Sequence, residues 1–241
     1  MKTLYDSYFS THFKRFYSDS QRGFKLSTEY FNANFRKFFP KHKDAQILEI
    51  GCGMGHLLYF LKKEGYINFI GIDISKEQID YCQKKVTPKV KLIKSLPNFL
   101  KQYKNFFDLV VMNDVIEHLE KNDVVKALRL INNSLKINGG LLIKTANASN
   151  LWGTYVRYAD FTHNMSFTQE SLAQVLNLAG FNNLTFVREI HPIHDIRSGL
   201  RVFIKTLIYW FYKFWYLIDF GAFSCNPSNM LIVLAKKERD A

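Results

Sequence analysis

The stretch Ile47-Leu48-Glu49-Ile50-Gly51-Cys52-Gly53-Met54-Gly55 decides the fold. It reads as a short apolar strand with a carboxylate inside it, running into a turn with glycine at every second position. Glycine lets the backbone turn sharply and come close to a ligand, and a helix starting near Gly55 would point its free N–H groups at the same place. Asp73, in Gly71-Ile72-Asp73-Ile74, ends a second apolar strand 18 residues after Gly55. A carboxylate there is placed to accept a ribose diol. The spacing is G-x-G-x-G, not the G-x-G-x-x-G of dinucleotide sites, which counts against a dinucleotide.

Working outward, strands and helices alternate. The pattern predicts strands over 46–50, 68–73, 89–94, 107–112, 141–145, 183–189 and 230–235. Helices are expected over 55–64, from Ser75 to about Val86, over 122–137 and from Thr168 to Ala179. Asn138-Gly139-Gly140 is expected to end the third of these, and Gly180 the fourth. Such alternation predicts an α/β fold: a Rossmann-like, doubly wound, mostly parallel seven-stranded sheet. The chain divides into a helical N-terminal segment (1–44), a cofactor-binding core (45–190), an aromatic and basic helical insertion (191–228), and a last strand with its tail (229–241), all within one domain.

Bulk properties narrow the class. The 241 residues are 47% hydrophobic, enough for a substantial core and against disorder. Three cysteines, Cys52, Cys82 and Cys225, lie far apart without metal-ligand spacing, which points to a reducing, cytoplasmic setting. Met1 to Phe16 has no apolar core of a signal peptide. The net charge of +12 points to an anionic partner, although no RNA-binding module is recognisable. Two segments break the alternation: residues 146–167, and residues 191–228. Both follow strand ends where ligands of doubly wound sheets sit, so both are expected to serve the acceptor. Within the second, Arg197, Arg201, Lys205 and Lys213 make a basic stripe among aromatic residues up to Phe223. Its longest charge-free run, 206–212, is far short of the roughly 20 residues a membrane span needs. Such a helix suits a membrane interface, an amphipathic substrate, or a lid packed on the domain.

Four segments in order resemble the class I S-adenosylmethionine-dependent methyltransferases, in the group of the ubiquinone-pathway O-methyltransferases and bacterial surface-polysaccharide methyltransferases. They are the Glu49–Gly55 turn, Phe107 through Asn113-Asp114-Val115-Ile116-Glu117-His118-Leu119, Leu135-Lys136-Ile137-Asn138-Gly139-Gly140-Leu141-Leu142-Ile143, and Phe167-Thr168 through Gly180-Phe181. The resemblance implies S-adenosylmethionine as cofactor. Glu49, Gly51, Cys52, Gly53 and Gly55 would form its methionine site, Asp73 would take the ribose hydroxyls and Ile74 would touch adenine. Lys94-Ser95-Leu96 stands where relatives carry an acid for the adenine amino group, so Ser95 and Leu96 would act through backbone. Asn113 would lie near the methionine amino group or the sulfonium. For catalysis, His118 is the expected base, with Asp114 and His163 beside it.

Asp114, Glu117 and His118 share a face if the segment turns helically. With His163 they resemble the Mg²⁺, Mn²⁺ or Zn²⁺ site of small-RNA 2′-O-methyltransferases. The expected reaction is methyl transfer to a sugar hydroxyl of a cell-surface polysaccharide, lipopolysaccharide or precursor, lipid-linked or phosphorylated, at the inner face of the membrane. A small phenol of quinone type, ribose of RNA, and a non-catalytic scaffold subunit are the alternatives.

Overall fold

A computed structural model describes residues 20–221 and 226–238. His12, Cys225, Phe223 and the Met1–Phe16 stretch lie outside the described residues. The elements, in chain order, are α1 (Gln21–Asn34), β1 (Ile47–Ile50), α2 (His56–Lys63), β2 (Phe69–Asp73), α3 (Lys76–Lys85), β3 (Val90–Leu92), α4 (Leu96–Leu100), β4 (Phe107–Asn113), α5 (Val124–Ser134), β5 (Leu135–Ala146), α6 (Gly153–Ala159), α7 (Gln169–Leu178), β6 (Asn183–Val187), α8 (Ile196–Phe220) and β7 (Met230–Lys236). Seven strands form one sheet in the order β3-β2-β1-β4-β5-β7-β6. β1 through β5 run parallel, while β7 is antiparallel to both β5 and β6.

Strand alternation builds a core on each face. Leu48, Ile50, Val110, Met112, Leu141, Ile143 and Val233 point to the side covered by Leu128 and Ile131 of α5 and Leu172 and Leu176 of α7. Ile47, Leu109, Val111, Leu142 and Ile232 point to the other side, against Phe24 and Phe31 of α1, Leu57 and Leu61 of α2, and Ile79 of α3. Burial on both faces explains why the central strands read as unbroken apolar runs. Between β1 and β4 the order reverses, so a crevice opens outside their carboxyl ends.

Several boundaries differ from the sequence expectation. The third expected helix stops at Ser134, and β5 already begins at Leu135. Asn138 takes a left-handed φ of 65°, and the β4–β5 register shifts between Phe107 and Leu109, so the Asn-Gly-Gly run is an irregular strand entry. Ser75 begins α3 by backbone geometry without a side-chain cap bond, whereas Thr168 and Ser171 form a reciprocal capping box on α7. Residues 146–167 contain α6 where a loop was expected.

The 25 residues of α8 bury a single side chain, Tyr209, among the described residues. The Arg188 guanidinium and Lys205 ammonium lie 4.9 and 5.4 Å from its ring centre, and the Tyr212 hydroxyl donates to the Ser149 carbonyl at 2.5 Å. Lys205 therefore turns inward, toward His191, which corrects the single basic stripe; Arg197 and Arg201 remain exposed. The opposite face carries Ile196, Leu200, Phe203, Leu207, Phe211, Phe214 and Ile218, all exposed, so the helix packs on the domain by one side alone.

Candidate functional site

β1 delivers the chain into the glycine turn at the sheet crevice. The N–H groups of Gly51 and Cys52 both donate to the Ile72 carbonyl, at 2.8 and 3.0 Å, which fastens the turn to β2. Gly51 has φ of 72°, and a Cβ there would stand 2.4 Å from a Val115 methyl. Only glycine fits: a side chain would be strained and would collide with the loop after β4. The Asp73 carboxylate accepts from Gly53 N–H at 3.0 Å and from Ser75 N–H at 2.8 Å. Burial pushes Asp73 upward from the ordinary carboxylate range, and those N–H bonds offset part of the rise. Glu49 is pushed well above its usual range by burial first, then by Cys82 and Asp73.

A cavity of about 890 Å³ opens over this turn. Of the expected cofactor residues, Glu49, Gly51, Cys52, Gly53, Asp73, Ile74, Leu96 and Asn113 line it. Gly55 and Ser95 are not among the lining residues. A Cβ on Gly55 would meet the Cys82 sulfur at 2.4 Å, so it serves the packing of α2 on α3. The Ser95 hydroxyl instead accepts from Asn98 N–H and caps α4. The cavity also draws in residues the sequence reading missed: Tyr30 from α1, Lys144 from β5, Asp160 and Glu189.

At the other end of the cavity the loop after β4 meets the loop after α6. The Glu117 carbonyl accepts from Asn164 N–H at 2.9 Å and Met165 N–H at 3.3 Å, and the Asn164 side-chain amide donates to the His118 carbonyl at 2.9 Å. The Arg157 guanidinium donates to the carbonyls of His163 and Asn164. This lacing brings the His118 and His163 rings to 4.7 Å between centroids. Burial, and then the neighbouring His163, lower the His118 pKa, which favours the neutral imidazole.

The expected metal set is rearranged. A nitrogen of each of His118 and His163 and a carboxylate oxygen of Asp160 lie within 4.8 Å of one another. Asp114, by contrast, sits at a left-handed φ of 56° and is engaged by Lys144 at 2.5 Å, with the same ammonium reaching Asn113 at 3.2 Å. Glu117 is buried with its pKa pushed up to about 8, by burial first and by Asp114 second. The segment makes a short 3-10 turn over Ile116–His118, not the α-helical turn that would have put all three on one face. Asp160 was legible only as part of the Asp160-Phe161-Thr162-His163 string; its other partner, His118, comes from the distant loop after β4.

The family of methyltransferase domains matches residues 24–185, and the chain belongs to it. Among curated proteins, the mitochondrial arginine-hydroxylase NDUFAF5 of Homo sapiens is 29% identical over 148 residues, covering 57% of this chain and 42% of that protein. The phosphoethanolamine N-methyltransferase of Plasmodium falciparum is 26% identical over 151 residues, 59% of this chain and 56% of its own. The malonyl-[acyl-carrier protein] O-methyltransferase of Priestia megaterium is 30% identical over 154 residues, 60% of this chain and 52% of its own. The chain thus spans about half the length of the curated relatives it matches. A solved methyltransferase from Archaeoglobus fulgidus superposes with a TM-score of 0.67 at 23% identity, over 96% of this chain and all of that one. Phosphoethanolamine N-methyltransferase 2 of Haemonchus contortus, solved with S-adenosyl-L-methionine, gives 0.62 at 16% identity, over 99% of this chain and 61% of that one. The fold is that of S-adenosylmethionine-dependent methyltransferases.

The cavity fits that cofactor by its own chemistry. Gly51 and Gly53 line the cavity without a side chain, and Asp73 presents a buried carboxylate at the end of β2. Glu49 Oε2 is a buried oxygen without a hydrogen-bond partner among the described residues, suited to a ligand's ammonium group.

Proposed function

We propose that the chain transfers a methyl group from S-adenosylmethionine to a hydroxyl oxygen. One observation carries this reading: a single cavity joins the glycine turn and Asp73 to the cluster of His118, Asp160 and His163. When bound, S-adenosylmethionine supplies an activated methyl on a sulfonium. Glu49, the turn at Gly51 and Gly53, and Asp73 hold and orient it, while the apolar walls exclude water. A hydroxyl must also lose a proton as its oxygen gains the methyl, whereas a neutral amine attacks with its lone pair. Two imidazoles and a carboxylate at the acceptor end are suited to that deprotonation.

The finer assignment is a sugar hydroxyl on a surface polysaccharide, lipopolysaccharide or lipid-linked precursor, met at an anionic membrane surface. Its support is α8, which presents an apolar face with exposed Arg197 and Arg201 at its flank. No helix among the described residues is long and apolar enough to cross a membrane, so α8 would lie in the interface. A small phenol is the second reading, favoured by Leu26, Tyr30, Phe31 and Leu119 in the cavity wall.

Calorimetry with S-adenosylhomocysteine tests the cofactor end. Asp73→Ala and Gly53→Val are expected to weaken binding at least tenfold, and wild-type affinity in both would end the assignment. Transfer of labelled methyl to nucleotide sugars, lipid-linked glycans and catechols tests the acceptor. Turnover confined to amines would overturn the hydroxyl reading.

A further inference from the structure

We infer that His118, Asp160 and His163 form a divalent metal site at the acceptor end of the cavity. Their donor atoms already converge within 4.8 Å. An ion about 2.1 Å from each donor needs them about 3.4 Å apart, so binding would draw the three donors together.

The hydrogen bonds around the cluster fix the chemical form of each ligand. The Thr162 hydroxyl donates to Asp160 Oδ1 at 2.7 Å, so its oxygen acts as acceptor toward His118 Nδ1 at 2.9 Å. The Thr162 carbonyl, which can only accept, also lies 3.3 Å from that nitrogen. Nδ1 of neutral His118 therefore carries the hydrogen and Nε2 carries the lone pair. His163 is set the same way, because its Nδ1 faces the Val156 carbonyl at 3.2 Å. Thr162 N–H donates to Asp160 Oδ1 at 2.9 Å and orients the carboxylate. Imidazoles whose outer N–H is given to a carbonyl or hydroxyl are the usual form of metal-bound histidines. Here one threonine sets both a histidine and the acid.

The donor set selects the ion. Two imidazoles with one carboxylate suit Zn²⁺, Mn²⁺ or Fe²⁺ in preference to Mg²⁺, which takes oxygen ligands and keeps its waters. Asp114 stays outside the set because Lys144 already pairs with it. Three protein ligands leave coordination positions open toward the cavity, where an acceptor hydroxyl, or two neighbouring ones, would bind and be acidified. That last role rests on the proposed hydroxyl acceptor; the ion site itself does not.

The test uses the full chain stripped by chelation and titrated with Mn²⁺. One ion per chain is expected, with a spin-echo signal from imidazole nitrogen. Asp160→Asn and His163→Gln should each weaken Mn²⁺ binding at least tenfold while S-adenosylhomocysteine affinity stays within twofold. His42→Ala, at an exposed histidine, should change nothing. Thr162→Val should weaken the ion roughly 10- to 100-fold although it is not a ligand, and Thr162→Ser should restore it. No nitrogen signal in the wild type, or Mn²⁺ affinity unchanged in the Asp160 and His163 variants, would overturn the site. Cofactor binding without Mn²⁺ binding would sink the ion alone. Mn²⁺ binding with no hydroxyl acceptor methylated would sink the proposed function and leave the ion site standing.

Discussion

Removing two tryptophans from α8 should detach the protein from anionic vesicles without unfolding it. Trp210 and Trp215 are 68% and 57% exposed, so on the order of 100 Å² of each remains available to a membrane. At about 25 cal/mol per Å², full transfer is worth about 2.5 kcal/mol per side chain, and half of that at interfacial depth. The double variant Trp210→Ala with Trp215→Ala should then lose about 2.5 kcal/mol of partitioning, close to 100-fold. Arg197→Gln with Arg201→Gln removes about 1 kcal/mol per charge near an anionic surface, an effect that salt should screen. Neither pair supports the core, so melting should shift by no more than about 0.5 kcal/mol equivalent. The apolar arc from Trp210 round to Ile208 spans roughly 160° of the helix at 3.6 residues per turn, wider than a coiled-coil seam. Co-sedimentation with phosphatidylglycerol and phosphatidylcholine vesicles is the assay. Equal binding to both lipids, or no loss in the tryptophan variant, would refute the reasoning. So would a dimer that the same variant dissociates, since the face would then belong to a second copy of the chain.

Gly51→Ala should cost about 2–5 kcal/mol in a denaturant melt, adding a left-handed φ to a 2.4 Å clash with Val115. Cofactor affinity should fall with it, and a melt within 1 kcal/mol of wild type would contradict the turn geometry. His56 is stacked on Phe24 at 4.3 Å, bonded to Ser27 at 2.7 Å, and its pKa is lowered to about 4 by burial. Its folded-state pKa lies below the ordinary 6.5, so the unfolded chain takes up the proton first. Stability should thus fall from pH 6.5 to about 4, by about 3 kcal/mol; urea melts of His56→Gln across that window should show a flatter profile. Asn34 bonds both the N–H and carbonyl of Ile190, at 2.7 and 2.9 Å, tying α1 to the segment after β6. Asn34→Leu should cost about 2–4 kcal/mol by orphaning both groups, and an unchanged melt would show that α1 is held by its aromatic face alone.

The sequence by itself determined the sheet and the cofactor end. Apolar runs buried on both faces, glycines required by backbone conformation and Asp73 at a strand end are local requirements, and each leaves its mark within a few residues. The start of α7 at Thr168 was legible for the same reason, whereas the reciprocal bond from Ser171 was not. The β5 boundary was not, because the Asn-Gly-Gly run that would end a helix is used as an irregular strand entry paired to β4. Only the tertiary structure decided the acceptor end. Spacing favoured Asp114, Glu117 and His118 together, but Lys144 from β5 engages Asp114, and the lacing of two loops replaces those acids with Asp160 beside His118 and His163. Which side of α8 faces away from the protein was settled by Tyr209, Lys205 and Tyr212 anchoring the other side. Contacts between residues 30 to 50 positions apart are set by how loops pack, and no local pattern encodes that.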